Sequence, residues 1–317
     1  MMEEYKLFPF TDWSRVSEIQ DLFRQGLGET TQEYWIWKYN TENGLSEKIL
    51  LVAENYSGKI VGMAGLQFTE YQVNDNRLMI TQFQDLIIAP DCRGTGLMRK
   101  IYSKAMEISK EHGSVAFMEH PNENSLPPLL KYGATDMGGI GSITSKKHFF
   151  SMPRKTIYQK EIDGWNLNIL DRMPEDVFFE THKSCYKLVK NKDFLRWRFD
   201  NNPNEKFQWV TIRKDGILFG YFVFQTFRGR FHTAVNIYDY EIKEDIPMNI
   251  LKLVIRMLKS HGSWISLWGR FSEEDYMMWK NVGLSNQDNR KSNFMIHLFH
   301  NLKLPTDWHL TRADLDF

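Results

Sequence analysis

Apolar residues at Trp13, Val16, Ile19, Leu22 and Phe23 follow Asp12 and stop between Gly26 and Gly28, the spacing of an amphipathic helix with its start and stop signals. A second helix is expected from Thr30, which has Glu33 three residues on, the spacing of a capping box, and which leads into Tyr34, Trp35 and Trp37. Residues 49–53 and 59–68, joined at Ser57-Gly58, read as a hairpin. An Asn74-Asp75-Asn76 turn then opens a long strand over 78–88, so the pattern runs helix, helix, antiparallel meander. Next come a helix with Leu97, Ile101, Ala105 and Ile108 ending at Gly113, and a short strand over 114–118. A short helix over 125–132 stops at Gly133, and weaker strands follow over 140–144 and 149–152.

The remaining chain echoes the first part. Trp37-Lys38-Tyr39 recurs as Trp197-Arg198-Phe199, Gly62 as Gly220, and Leu130-Lys131-Tyr132-Gly133 as Trp279-Lys280-Asn281-Val282-Gly283 with one residue inserted. Three matches in the same order imply an internal duplication. The expected organisation is two similar α/β domains, residues 1–150 and 151–317, with 145–155 as the crossover.

Composition narrows the function. With 42% hydrophobic and 25% charged residues the 317-residue chain can bury a sizeable core, which excludes disorder, collagen and coiled coil. Forty Lys and Arg balance forty Asp and Glu, so no net field draws in nucleic acid or anionic lipid. Two cysteines, Cys92 and Cys185, make neither a disulfide framework nor a four-ligand zinc site, and no metal is expected. The absence of a long apolar run leaves a cytoplasmic protein as the expectation.

The chemistry concentrates at Pro90-Asp91-Cys92-Arg93-Gly94-Thr95-Gly96, a glycine-bearing turn between a strand and a helix. Such a turn aims backbone N–H groups and the positive end of the helix dipole at one point, where phosphate is the natural guest. Arg99 stands where a dinucleotide fingerprint needs its third glycine, and the Lys-Ser/Thr of a P-loop is missing. As a Gly-x-Gly alone, the turn could equally be a plain connection.

From Ile88 to Met98 the sequence resembles the acyl-CoA pyrophosphate signature of the GNAT acyltransferases, Arg/Gln-x-x-Gly-x-Gly/Ala after a strand. Pro121-Asn122-Glu123-Asn124-Ser125 and Leu129-Leu130-Lys131-Tyr132-Gly133 resemble that family's next segment. The resemblance implies a mixed α/β sheet with tandem GNAT-like domains, the second degenerate because Glu244-Asp245-Ile246-Pro247 replaces the turn. It implies acetyl-CoA or another acyl-CoA as co-substrate. Main-chain groups of Leu86, Ile87 and Ile88 would pair with the pantetheine arm, with an amide near Ile87 polarising the thioester oxygen. Amides of Arg93, Gly94, Thr95, Gly96, Leu97 and Met98 would hold the pyrophosphate, and Asn122 and Ser125 would line the far side of the channel. Two positions depart from the pattern: Met98 replaces a small residue, and Leu129 replaces the tyrosine that commonly reprotonates the thiolate.

A base for the incoming ammonium is sought among Asp85, whose burial between Phe83 and Leu86 would favour a proton, and Glu119 and His120 at the next strand's end. Tyr132, three residues past Leu129, or water would serve as acid. Cys92 lies in the turn and is not expected to act as a nucleophile. The Trp and Tyr residues around Lys38 and Arg198 read as core packing before an aromatic groove. Lys146-Lys147-His148 and Arg154-Lys155 read as a solvated linker before a phosphate site. Trp308-His309-Leu310-Thr311, with Asp314 and Asp316 beyond, resembles the tail of two-domain GNAT proteins of surface-sugar biosynthesis, which implies an aminosugar-type acceptor. The expected activity is transfer of an acyl group to the primary amine of a small molecule. Expected partners are that acceptor and at most a second copy of the chain. A non-catalytic acyl-CoA sensor is the alternative from another class. An aminoacyl-tRNA-dependent transferase fits less well, since it needs a basic groove.

Overall fold

The first apolar stripe closes on itself as expected. Trp13–Arg15 make one tight turn and α1 (Val16–Arg24) buries Val16, Ile19 and Leu22. The following helix, α2 (Gln32–Tyr39), starts one residue later than the spacing implied: Thr31, in extended backbone, accepts the Tyr34 N–H at 3.2 Å, and no capping box forms at Thr30. The computed structural model describes residues 5–26, 28–40, 47–145, 156–179, 185–229, 232–299 and 308–315. The strand expected over 149–152, the basic residues of 146–155 and Asp316 lie outside them.

The first half continues with β1 (Lys6–Pro9), β2 (Lys48–Glu54), β3 (Ile60–Val73) and β4 (Asn76–Ile88), all antiparallel neighbours. Helix α3 (Leu97–Glu111) crosses over to β5 (Ala116–Glu119), which runs parallel to β4. Then come α4 (Leu126–Lys131) and β6 (Thr135–Thr144). The second half holds β7 (Gln159–Ile162), β8 (Trp165–Leu170), β9 (Tyr186–Leu188), α5 (Lys192–Leu195), β10 (Gln208–Lys214), β11 (Ile217–Arg228), β12 (Thr233–Ile242), α6 (Met248–His261), β13 (Trp264–Arg270), α7 (Glu273–Val282), β14 (Asn286–Leu298) and β15 (Trp308–Thr311).

The described strands form one sheet in the order β1-β2-β3-β4-β5-β14-β6-β13-β12-β11-β10-β8-β7, with β9 and β15 off this path. The halves exchange strands at the centre. β14, late in the chain, lies between β5 and β6 and is antiparallel to both, while β6 lies between β14 and β13. The repeat read from the sequence appears as a repeat of pairing: β12 and β13 are parallel like β4 and β5, with α6 as the crossover in place of α3. Gly62 and Gly220 both sit in the strand that precedes this pair, β3 and β11. Trp37 and Trp197 meet at the junction, stacked at 4.8 Å and 16°, each indole N–H donating to the other's carbonyl at 3.0 Å. These tryptophans are packing, as their helical spacing implied.

The described residues form three apolar clusters: one holds the buried stripes of α1 and α3 against β2–β4, one packs α6 and α7 on β10–β13, and one lies between the halves around Tyr71, Trp209, Phe294 and Trp308. The halves also differ beyond their parallel pairs. Beyond the β12–β13 pairing, which ends at Ile237 and Leu267, the chain's own β15 pairs with Gly269 and Arg270 of β13. The corresponding gap in the first half has no strand in it among the described residues.

Candidate functional site

That gap begins where β4 and β5 separate. Pairing runs from Ile80–Ala116 to Phe83–Glu119 and stops, while β4 continues on its other edge with β3 as far as Ile88–Gly62. Between Gln84 and Ile87 the register slips: Asp85 and Leu86 oppose one residue of β3, and Asp85 takes a positive φ of 50°. A bulge of this kind bends a strand away from its neighbour. Asp85 can hold a left-handed conformation more readily than most residues, and its side chain is fastened. Lys38 Nζ lies 2.7 Å from Oδ2, and the Tyr39 hydroxyl donates to the same oxygen at 2.5 Å. Gly65 makes room for this, because a Cβ there would fall 1.7 Å from the Tyr39 hydroxyl oxygen. The sequence placed Asp85 between apolar neighbours and expected a carboxyl seeking a proton. The structure pairs it with an ammonium from α2, which supports the charged form and a role in fixing the bulge.

Leu86, Ile87 and Ile88 follow the bulge, and the turn after them is open. Gly94 and Gly96 have φ of 76° and 85°, and a Cβ at either would meet nothing within 4 Å. Gly96 is the N-cap of the fifteen-residue α3 and supplies no side-chain cap, so the helix presents bare first-turn amides. The turn is braced from beneath, with Thr95 Oγ1 donating to Cys92 O at 2.8 Å and Arg93 Nε to Ile88 O at 3.2 Å. Leu97 is buried, and Met98, where the motif has a small residue, packs partly into the same core. Arg99, Lys100 and Lys104 border the depression next to this turn. The chemistry of this donor set suits an anion: uncapped N–H groups, two glycines without bulk, and cations nearby.

On the α3 side of the gap lies a polar group enclosed by aromatics. Glu119 is 1% exposed. Its Oε1 accepts from the Tyr102 hydroxyl at 2.6 Å, and its Oε2 has no hydrogen-bond partner. Burial pushes the Glu119 carboxyl up to about 7, with the Tyr102 bond pulling the other way. The Tyr102 oxygen also lies 3.1 Å from His297 Nδ1 on β14. Burial raises Tyr102 far above the ordinary tyrosine range, and the charge of Glu119 adds to this. Burial lowers His297, helped by Lys110. Tyr132 is partly buried with its ring 5.2 Å from that of Tyr102.

His120 has its ring stacked on Phe294 of β14 at 5.6 Å. Asn122 and Ser125 bond mainly to each other: Asn122 Oδ1 accepts the N–H groups of Asn124 and Ser125, at 2.9 and 3.1 Å, in the turn that starts α4. Leu129 is buried in the first apolar cluster. The structure thus places Glu119 and the β4 bulge at one gap, sets Tyr132 against Tyr102, and pairs Asp85 with Lys38 and Tyr39 of α2. Sequence reasoning missed Tyr102 and His297. Tyr102 follows Ile101 inside the apolar stripe of α3, a polar hydroxyl in a buried helical position, and that was its only local signal. Among the described residues no group of three or more His, Cys, Asp or Glu is arranged to hold a metal ion.

Residues 12–133, which contain the bulge, the turn and the acidic strand end, match the acetyltransferase (GNAT) family. The match covers less than half of the chain. No curated protein matches the sequence. Over the whole chain the fold is that of tandem GNAT proteins. A GCN5-related N-acetyltransferase from Anabaena variabilis shares it with a TM-score of 0.68 at 13% identity, covering 93% of this chain and 73% of that one. A probable N-acyltransferase from Enterococcus faecalis, described as a conserved protein of unknown function, gives 0.66 at 14%, over 93% and 73%. A tandem GNAT protein from the clavulanic acid biosynthesis pathway gives 0.60 at 11% and is covered completely by 95% of this chain. No helix among the described residues is long and apolar enough to cross a membrane.

Proposed function

We propose that the chain is an acyl-CoA-dependent N-acyltransferase, with acetyl-CoA as donor, that acylates a primary amine of a small molecule by direct attack in a ternary complex. The observation that carries this reading is the bulged separation of β4 from β5 directly above an uncapped helix start. Amides of Arg93 to Met98 hold the pyrophosphate, and the free edge of β4 at Leu86 to Ile88 pairs with the pantetheine arm. A main-chain amide at the bulge polarises the thioester oxygen, so that charge developing there meets a fixed dipole. Asn122 and Ser125 shape the far wall through their turn. Acyl-CoA fits the residues present, since neither glycine's position holds bulk.

Glu119 is the base in this reading. It stands at the last paired residue before the gap, has one unpartnered oxygen, and is poised to accept a proton near neutral pH. His120 flanks the acceptor, Asp85 with Lys38 and Tyr39 fixes the bulge, and Tyr132 or water returns a proton to the departing thiolate. Residues 1–150 are the catalytic domain and 151–317 the wall of the acceptor pocket. Gln82 of β4 donates to Asp314 O at 2.9 Å, so the last described segment lies against the catalytic strand. The acceptor class is an aminosugar or nucleotide-linked aminosugar.

Thiol release from acetyl-CoA is expected on addition of at least one amine from a panel of aminosugars, nucleotide-linked aminosugars, polyamines and aminoglycosides. Binding of acetyl-CoA with no release from any member would favour the sensor reading, to which the buried Leu129 lends some support.

A further inference from the structure

Acylating an amine, the reading on which this inference rests, converts an ammonium and a thioester into an amide, a thiol and one proton that must reach solvent. Glu119 is too enclosed to give it up directly, because both its oxygens are out of contact with water. We propose that Tyr102 and His297 form the proton exit from Glu119, so that β14 of the second half supplies a working part of the first half's site.

The geometry is a continuous chain: Glu119 Oε1 to the Tyr102 hydroxyl at 2.6 Å, and that hydroxyl to His297 Nδ1 at 3.1 Å. Each contact lies within hydrogen-bonding range. The three residues come from three elements, β5, α3 and β14, so only the exchanged strand brings the histidine there. In this scheme Glu119 takes the proton on Oε2, the oxygen without a hydrogen-bond partner, once the bound acceptor amine reaches it from the gap. The carboxyl then turns about its Cγ–Cδ bond to bring the protonated oxygen to Tyr102, whose hydroxyl turns to His297 Nδ1, and it passes that proton to the Tyr102 oxygen as the Tyr102 hydroxyl proton moves to Nδ1. This leaves a carboxylate, a neutral phenol and an imidazolium, with every proton accounted for. Tyr102 never ionises, in keeping with a pKa that burial and the charge of Glu119 raise far above the ordinary tyrosine range.

His297 then releases the proton to water. It is 9% exposed and lies beneath Gly133, where a Cβ would approach its ring at 3.5 Å. Lys110 of α3 disfavours its charged form and so promotes release. The titratable groups that bear on this network are Glu119 from β5, Tyr102 and Lys110 from α3, Tyr132 after α4 and His297 from β14. Tyr102 and His297 are positioning residues in this scheme.

His297→Asn keeps an amide where Nδ1 stood but cannot carry an extra proton, and Tyr102→Phe keeps the ring without the hydroxyl. Both are expected to lower kcat roughly ten- to a hundredfold, with KM for acetyl-CoA nearly unchanged. Added imidazole is expected to restore turnover to His297→Ala. In substrate-free protein, the carboxyl band lost in Glu119→Gln is expected to titrate in infrared spectra near 7 and to move upward in Tyr102→Phe. A His297→Asn variant whose kcat and pH profile coincide with the unsubstituted protein would overturn the exit alone, as would a Glu119 band titrating at the ordinary 4.5. Absence of thiol release from the unsubstituted protein with every amine would instead overturn the acyltransferase reading, and the exit with it.

Discussion

Glu119→Gln is expected to abolish most turnover and, at the same time, to make the protein more stable at pH 8. The activity loss follows from removing the base, an effect of about 10²- to 10⁴-fold. The stability gain follows from linkage. In the folded protein the carboxyl titrates at about 7, against 4.5 for an unperturbed glutamate. Below pH 4.5 the group is protonated in both states and contributes nothing. Between 4.5 and 7 the unfolded chain releases its proton while the folded one retains it, so stability falls as pH rises. Above 7 the full penalty of a buried, half-partnered carboxylate applies, on the order of 3 kcal/mol. Glutamine keeps the shape and carries no charge. Urea unfolding at pH 8 should show the variant ahead by up to about that amount, with the difference vanishing near pH 4.5. Equal stability at both pH values would mean that Glu119 is not held in an unfavourable charge state, and its assignment as base would lose its support.

Lys190→Met is expected to be the most damaging substitution far from the gap. Lys190 Nζ lies 2.7 Å from Asp239 Oδ1 and 2.7 Å from Asp314 Oδ1, with the Thr311 hydroxyl at 3.3 Å, and all three charged side chains are almost wholly buried. Burial disfavours the charged form of Lys190, but Asp239 and Asp314 outweigh it and hold the ammonium charged. Removing the cation leaves two buried carboxylates facing each other, and breaking such a cluster costs about 3–5 kcal/mol. The position of the cluster gives it wider consequence. Asp239 stands in β12 where Asp85 stands in β4, each five residues past the first pair with the parallel strand. Asp314 belongs to the segment that reaches Gln82. The second half thus spends its bulge carboxylate on anchoring the tail that fills its own gap, whereas the first half leaves its gap open. A loss below about 1 kcal/mol in urea unfolding would show that the cluster is not what fastens the tail.

The first half was legible because its signals are local. Periodic stripes, turn residues and the Arg93–Gly96 turn each lie within one or two elements, and side-chain propensity and backbone chemistry decide them. The repeat was legible for the same reason, through Trp37 and Trp197, although not that the two rings would stack on each other. What escaped was long-range. Lys38 was read as part of an aromatic helix face, and nothing nearby in the sequence pairs it with Asp85. His297 lies in a strand whose partners, β5 and β6, are set by the exchange between halves, a pairing that periodicity cannot reveal. Asn122 and Ser125 were read for their place in a motif. Their mutual hydrogen bonds show how the turn itself is built.

The central claim is that the open turn and the free edge of β4 receive an acyl-CoA. The most direct measurement is a calorimetric titration of the protein with acetyl-CoA, run beside the Arg93→Glu variant. The expected result is a single site in the unsubstituted protein and an affinity at least about tenfold weaker in the variant, since a carboxylate there would repel the pyrophosphate. No binding to the unsubstituted protein, or equal affinity in both, would contradict the cradle and the function built on it.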